Sequence, residues 1–169
     1  ERIRELAATN SIDGEKALKN ILVSKIMSNT ALLLKLNEVE SLIKQSNIRM
    51  LIIDSINNYY RFERGDKEIS FFKTRTTFLR ILEKINNLTQ KHNLITILTA
   101  QISPNFNENA IIREIPVGMQ YLNHFFSEFL YLSYKEENMS YIHLLNSHLL
   151  PEKKILYKIT KKGLQDYKI

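Results

Sequence analysis

The chain has 169 residues, of which 44% are hydrophobic and 25% charged, values typical of one soluble globular domain. Cysteine is absent, which excludes disulfides and thiolate metal sites and fits an intracellular protein. No apolar run reaches the roughly 18 residues of a membrane span, so no span is expected, and no cleavable signal peptide is visible at the start. The net charge of +6 favours polyanionic partners.

The first third of the chain predicts helices that alternate with short buried strands. Residues 1–10 place apolar side chains at helical spacing, and Asp13 is expected to cap a short second helix. The apolar residues 21–23 predict a buried strand. A longer helix is predicted from Asn29, and the apolar run at 50–53 predicts the next buried strand.

The rest of the chain begins with a polar, charged segment at 59–68 in which Gly65 is the expected hinge. A long amphipathic pattern over 69–92 predicts a helix, and 94–99 a buried strand. Residues 102–115 are expected to form a loose loop. One short helix and three strands are predicted after it, at 117–127, 129–134, 139–145 and 154–160.

This order of elements predicts an α/β fold. Alternating helices and strands indicate a mostly parallel central sheet flanked by helices, and the last strands indicate antiparallel pairing at the C-terminal end. No linker stands out, so residues 1–169 are expected to form one domain.

Two predicted strands end in polar groups. Asp54 and Ser55 follow the first, and Gln101 follows the second. Ligands of open parallel sheets bind at the carboxyl ends of strands, and neighbouring strands lie about 5 Å apart. An acid there can hold hydrated magnesium, and a glutamine can sense a terminal phosphate. The alternative is two polar strand ends capped by turns.

The segments that follow these strands are basic and aromatic. Cations beside aromatic rings can bind single-stranded nucleic acid by phosphate contact and stacking. The alternative is a solvated loop of mixed charge, because acidic residues partly cancel the cations. The cations are Arg61, Arg64 and Lys67 in the first segment and Arg113 in the second, and the first segment also contains Tyr59, Tyr60 and Phe62.

The four histidines show no HExxH or paired spacing, so a zinc site is not expected. A structural role is the default for His124, and no GxSxG elbow supports a hydrolase.

Five segments in order resemble the core ATPase domain of the RecA/RadA recombinase family, above all its archaeal RadA and RadB branch. The first segment is similar to the stretch after the family's second core strand, and the second, with DS and YR, to its Walker B strand. The remaining three are similar to its TNQ, PxGG…H and LPE motifs. The resemblance covers nearly the whole chain and implies the C-terminal portion of a RecA-like core, truncated at its N-terminus. The segments read ERIRELAATNSIDGEKALKNILV, RMLIIDSINNYYR, KHNLITILTAQ, IPVGMQYLNHFFSEFLYL and LLPEKKILYKITKKGLQD.

The resemblance implies roles for matching positions in an ATP- and magnesium-dependent protein. Asp54 would be the Walker B acid that positions magnesium through water, with Ser55 beside it. Gln101 would couple the terminal phosphate to a DNA loop, and His124 would help to sense nucleotide.

The resemblance also implies partners, namely single-stranded DNA and further recombinase subunits in a filament or oligomer. Residues 61–68 would be the first DNA loop and 102–117 the second. The segment from Asn146 to Pro151 would cap the nucleotide of a neighbouring subunit. Such a protein is expected in the cytoplasm of an archaeon or the nucleus of a eukaryote, and not in a membrane.

The chain departs from the family pattern at several places. No GxxxxGK[ST] occurs, and the family's catalytic glutamate would lie upstream of Glu1. Ala100 replaces the Asn of TNQ, Met119 the second glycine of PxGG, and Phe129 the usual arginine. This chain alone is therefore not expected to bind ATP tightly or hydrolyse it.

Three interpretations stay open at this point. The first is part of a RadA- or RadB-like protein for DNA recombination and repair, with ATP-dependent binding of single-stranded DNA and strand exchange or its assistance. The second is a non-catalytic paralogue that acts as a DNA-binding or filament-assembly module. The third is an unrelated α/β domain.

Overall fold

A computed structural model describes residues 1–106 and 113–167. None of the helices in these ranges combines the length and the apolar character that a membrane crossing requires. The helices are α1 (Arg2–Thr9), α2 (Gly14–Lys19), α3 (Asn29–Gln45), α4 (Asn58–Gly65), α5 (Phe71–His92) and α6 (Met119–Phe125). The strands are β1 (Met50–Ile53), β2 (Ile95–Leu98), β3 (Ile102–Pro104), β4 (Glu114–Pro116), β5 (Phe129–Glu136), β6 (Met139–Asn146), β7 (Lys153–Thr160) and β8 (Gly163–Asp166).

The chain divides into two compact units. The middle unit comprises residues 25–126, and the terminal unit comprises residues 1–24 together with 127–169. The middle unit contains α3 to α6 and β1 to β4, and the terminal unit contains α1, α2 and β5 to β8.

In the middle unit, β1 and β2 pair in parallel, from Met50 opposite Ile95 to Ile53 opposite Leu98. The α/β class and the parallel pairing predicted from the sequence are confirmed. Helix α5 forms the core because its apolar residues recur at the helical period. Its fully buried apolar side chains are Phe78, Ile81, Leu82, Ile85 and Leu88.

Local signals set the ends of these helices. The Ser28 hydroxyl accepts a hydrogen bond of 3.0 Å from the Ala31 amide and caps α3. Helix α5 ends at Asn93, whose φ of 49° is left-handed, a conformation that asparagine tolerates. The chain therefore reverses directly from α5 into β2.

A partly exposed ion-pair cluster joins α3 to α5. Glu40 accepts hydrogen bonds from Lys84 at 2.6 Å and from Lys91 at 2.8 Å. These two bonds lower the pKa of the Glu40 carboxyl from 4.5 to about 2. Glu40 therefore stays ionised down to strongly acidic pH.

The terminal unit is built on an antiparallel sheet in the order β5-β6-β7-β8. Antiparallel strands at the C-terminal end were predicted, and this prediction is confirmed. Helix α1 is tied to the β7–β8 turn, since the Arg2 guanidinium donates to the carbonyls of Thr160 at 2.9 Å and Lys161 at 3.1 Å.

Three predictions about elements are wrong, and one strand was not predicted. Residues 21–23 are exposed and lack regular structure, and none of the described strands pairs with them. The segment 59–68 is mostly helical, as α4. The expected loop 102–115 contains β3 and β4, which pair with each other in antiparallel fashion. Strand β8 was missed because GLQD carries a single apolar side chain.

The two central strands are also less buried than predicted. Along β1 and β2, side chains alternate between half-buried and exposed positions. The parallel register places all the exposed ones on the same face of the sheet. These exposed side chains are Met50, Ile52, Ile95 and Ile97.

Candidate functional site

The carboxyl ends of β1 and β2 bring Asp54 and Thr99 together, as the parallel register requires. The Thr99 hydroxyl donates a short hydrogen bond to Asp54 Oδ1. The backbone of the same two segments is joined by Ile56 N–H to the Thr99 carbonyl at 2.9 Å and by Thr99 N–H to the Ile53 carbonyl at 3.1 Å. The peptide bond between Asp54 and Ser55 is cis. Asp54 is thus an exposed carboxylate whose position is fixed by a neighbouring hydroxyl.

Gln101 follows Thr99 by two residues and points toward α4. Its Nε2 donates to Asn58 Oδ1 at 3.1 Å, and its Oε1 accepts from Arg61 Nη1 at 3.4 Å. The side chain of Gln101 is therefore held at both ends by residues of α4 and not by Asp54.

Helix α4 is attached to the core by a buried tyrosine. The ring of Tyr60 stacks on Phe78 of α5 with centroids 4.2 Å apart, and it meets Tyr121 of α6 edge-on at 6.1 Å. Burial raises the pKa of the Tyr60 phenol, and Tyr121 acts in the same direction. With Tyr60 turned inward, Arg61 and Arg64 lie on the exposed side of the helix.

The two arginines face the segment that follows β2. A hollow of about 320 Å³ is lined by Arg61, Arg64 and Gly65 of α4 together with Ser103 of β3 and Val117. We call this the arginine hollow. It brings together the two segments, 61–68 and 102–117, that the sequence resemblance assigned to DNA.

The second segment forms the β3–β4 hairpin, in which Ile102 pairs with Pro116 and Pro104 with Glu114. Just beyond the pairs, the Asn105 amide donates to the Arg113 carbonyl at 2.8 Å. The predicted loop residues 107–112 lie outside the described residues.

Gly118 follows the hairpin with a φ of +84°, in the left-handed region, and it starts α6. A Cβ atom at this position would lie 3.2 Å from Phe78 Cε1 and 3.3 Å from Tyr60 Cε1. The end of the hairpin therefore rests against the same ring pair that holds α4.

Sequence reasoning missed three residues of this site. Phe106 is 90% exposed and lies two residues after the end of β3. Asn57 and Asn58 bind Gln101. The available signal was two consecutive amides three and four residues after a strand-end acid, where side chains with both donors and acceptors can hold a ligand-binding loop.

The other predicted site residues are more dispersed. His124 is exposed in the last turn of α6, where its ring packs edge-on against Phe125 at 5.0 Å. In the described part of the chain, no hydrogen bond joins His124 to Asp54 or Gln101. Lys67 is exposed just after α4.

The segment from Asn146 to Pro151 lies in the terminal unit. Its turn is fixed by Ser147, whose hydroxyl oxygen accepts from the amides of Leu149 at 3.1 Å and Leu150 at 3.0 Å. Both leucine side chains are exposed.

The donor set at Asp54 fits magnesium rather than a metal held by many side chains. Residues 1–106 and 113–167 contain no cluster of three or more histidine, aspartate or glutamate side chains. Magnesium in proteins keeps several waters and is held by one or two carboxylates and by substrate phosphates. The exposed Asp54 carboxylate with its Thr99 partner satisfies that need.

Comparison with known proteins gives a consistent result. The family described as Rad51 matches residues 1–167. The "DNA repair and recombination protein RadA" of Methanococcus maripaludis is 26% identical over 168 residues, which are 98% of this chain and 52% of that protein. The protein of the same description from Methanococcus voltae is 25% identical over 167 residues, again 98% and 52%. The chain thus spans about half the length of the curated relatives it matches.

Proposed function

This chain belongs to the Rad51 family, and from that premise we propose that it serves DNA recombination and repair by binding single-stranded DNA at the arginine hollow. The observation that carries the proposal is the meeting of Arg61 and Arg64 with the β3–β4 hairpin beside Gln101. Guanidinium groups bind phosphates, and the exposed rings of Phe62 and Phe106 offer stacking surfaces for bases.

We propose that Asp54 holds magnesium through water, with Ser55 beside it. Magnesium, when bound, neutralises charge on nucleotide phosphates. Thr99 orients the acid, while Gln101 and His124 are the proposed sensors of the nucleotide. No GxxxxGK[ST] occurs in these 169 residues. We therefore propose that this chain supplies the magnesium-binding and DNA-binding residues of an ATP-dependent protein. We assign no phosphate-binding loop to these residues.

We further propose that the protein assembles with copies of itself or with related subunits. The turn from Asn146 to Pro151 supports this, because the exposed Leu149 and Leu150 side chains sit on a backbone fixed by Ser147. By the family resemblance, this turn is the segment that would cap the nucleotide bound to a neighbouring subunit.

The DNA proposal is tested by fluorescence anisotropy with a labelled oligo-dT over a series of salt concentrations. Arg61→Ala with Arg64→Ala should weaken binding and lower the slope of log affinity against log salt by about 1.4, since each phosphate contact on a single strand contributes about 0.7. The matched control is Lys16→Ala with Lys19→Ala, which removes two exposed charges from α2. An unchanged slope, or an equal loss in the control, would remove the arginine hollow from the DNA site.

A second candidate is a non-catalytic paralogue that acts as a DNA-binding or assembly module. Ala100 favours it, because the residue between Thr99 and Gln101 carries no amide for a nucleotide sensor. The intact mass of the polypeptide from its native host separates the two candidates. A mass well above 19.9 kDa, with a phosphate loop in the added sequence, supports the ATPase. A mass equal to that of this chain supports the paralogue.

A further inference from the structure

All four polar atoms of Gln101 are bound by residues at the start of α4. The backbone N–H of Gln101 donates to Asn57 Oδ1 at 2.8 Å, and its carbonyl accepts from Asn57 Nδ2 at 2.8 Å. The side-chain amide is bound by Asn58 and Arg61, as described above. One helical turn thus fixes both the backbone and the side chain of Gln101.

Asn57 also fixes the root of the β3–β4 hairpin. Its Nδ2 donates a second hydrogen bond to the Val117 carbonyl at 3.0 Å, while the Val117 amide donates to the Gln101 carbonyl at 3.0 Å. Both amide hydrogens of Asn57 and its oxygen are therefore used, and the residue is 0% exposed. The chain is pinned where it enters the hairpin and where it leaves.

This use of the asparagine differs from its usual role at the same position. Asn57 is the N-cap residue of α4, where an asparagine side chain ordinarily accepts from the amides of the first helical turn. Here it makes no such bond. Its amide is committed instead to residues that lie 44 and 60 positions further along the chain.

We propose that Asn57 is the positioning residue of Gln101 and couples it to single-stranded DNA bound at the arginine hollow. This rests on the proposed function. Asn57 is too buried to touch DNA, but it holds Gln101 where Arg61 reaches Gln101 Oε1. A phosphate that binds Arg61 competes with this hydrogen bond, so DNA binding releases one end of the Gln101 side chain while Asn57 keeps its backbone in place.

The test compares Asn57→Ala with Asn29→Ala in the same unit. Asn29 is equally buried, and its side-chain atoms find no hydrogen-bond partner in the described part of the chain. The control therefore removes a buried asparagine without breaking a network. Asn57→Ala should speed hydrogen exchange at the Gln101 amide by at least about tenfold and weaken oligo-dT binding about five- to tenfold. Asn29→Ala should change neither.

The ¹⁵N spectrum of the Gln101 side-chain amide separates positioning from a purely structural role. In the wild type, oligo-dT should shift this resonance, and in Asn57→Ala the shift should be lost. A variant that only loses thermal stability, with the DNA-induced shift and affinity intact, overturns the proposal.

Two other outcomes also test the proposal. If the wild type does not bind oligo-dT, the proposed function fails, and Gln101 exchange alone decides whether Asn57 positions it. If Asn57→Ala does not fold, Asn57→Asp replaces it, because the carboxylate keeps the acceptor for the Gln101 amide and loses both donations. The Gln101 amide should then stay protected while oligo-dT binding weakens. Unchanged binding in Asn57→Asp overturns the coupling.

Discussion

Replacing Gly118 by alanine is expected to destabilise the middle unit by about 3 kcal/mol, for two separable reasons. A left-handed backbone costs an alanine about 1–2 kcal/mol relative to glycine. The new Cβ would also press on Phe78 Cε1 at 3.2 Å and Tyr60 Cε1 at 3.3 Å. Both rings are fully buried and stacked on each other, so they cannot move aside freely, and overpacking of this kind costs about 1–3 kcal/mol.

Gly65→Ala is the matched control for this substitution. Gly65 ends α4, and a Cβ atom there would meet nothing within 4 Å. Alanine is favoured over glycine in a helix by about 0.5–1 kcal/mol, so this variant should be neutral or slightly more stable. The same chemical change is thus expected to be destabilising at Gly118 and neutral or slightly stabilising at Gly65.

Urea unfolding of the two variants and the wild type measures the difference. Thermal unfolding should show Gly118→Ala melting about 6–12 °C lower, since 1 kcal/mol corresponds to about 2–4 °C for a chain of this size. Equal stability of Gly118→Ala and the wild type would show that the turn adapts, and the reasoning from the ring pair would be wrong.

Three further outcomes are expected. The pKa of the Glu40 carboxyl is lowered in the folded state from its ordinary 4.5 to about 2. Ionised Glu40 therefore stabilises the fold above pH 4.5, and this contribution is lost as the pH falls to about 2. Glu40→Gln removes the carboxyl, so the stability of this variant should fall less than that of the wild type between pH 4.5 and about 2. Urea unfolding across that range, with Glu38→Gln on the exposed side of α3 as control, measures this, and identical profiles for wild type and Glu40→Gln contradict it. Phe78→Ala should cost about 3–5 kcal/mol in urea unfolding, and a loss below about 1 kcal/mol would mean that the ring stack is not a core element. Asp54→Ala should abolish magnesium-dependent nucleotide binding, measured by calorimetry, in a form of the protein that carries a phosphate-binding loop, and retained magnesium dependence would leave Asp54 only a structural role.

Periodicity explains what the sequence could predict. Helix α5 places five buried apolar side chains at helical spacing, and this pattern is visible in the sequence without knowledge of the elements that pack against it. The apolar runs before Asp54 and Gln101 likewise identify two strands, and their parallel pairing brings both polar ends to one edge. The position of the candidate site therefore follows from local patterns.

Distant contacts explain what the sequence could not predict. The sequence of α4 is mostly polar, and Tyr60 is its one buried residue. The helix is held by the packing of this ring on aromatic rings of α5 and α6, which are distant in the sequence. The role of Asn57 depends on residues 44 and 60 positions away, a separation that no local pattern records. Residues 21–23 show the converse, since an apolar run forms a strand only where its backbone pairs with another strand, and no described strand pairs with this one.

The hydrogen bonds of Asn57 fix the two ends of the β3–β4 segment, so the position of these ends does not depend on the length of the chain between them. Asn57 joins Gln101 to Val117 by hydrogen bonds of 2.8 to 3.0 Å, and each such bond contributes about 1 kcal/mol. Doubling the length of a flexible connection costs only about 0.6 kcal/mol in closure entropy. Insertions and deletions between Pro104 and Glu114 can therefore accumulate while Gln101 keeps its place, so the length of this segment can change in evolution without rebuilding the end of β2.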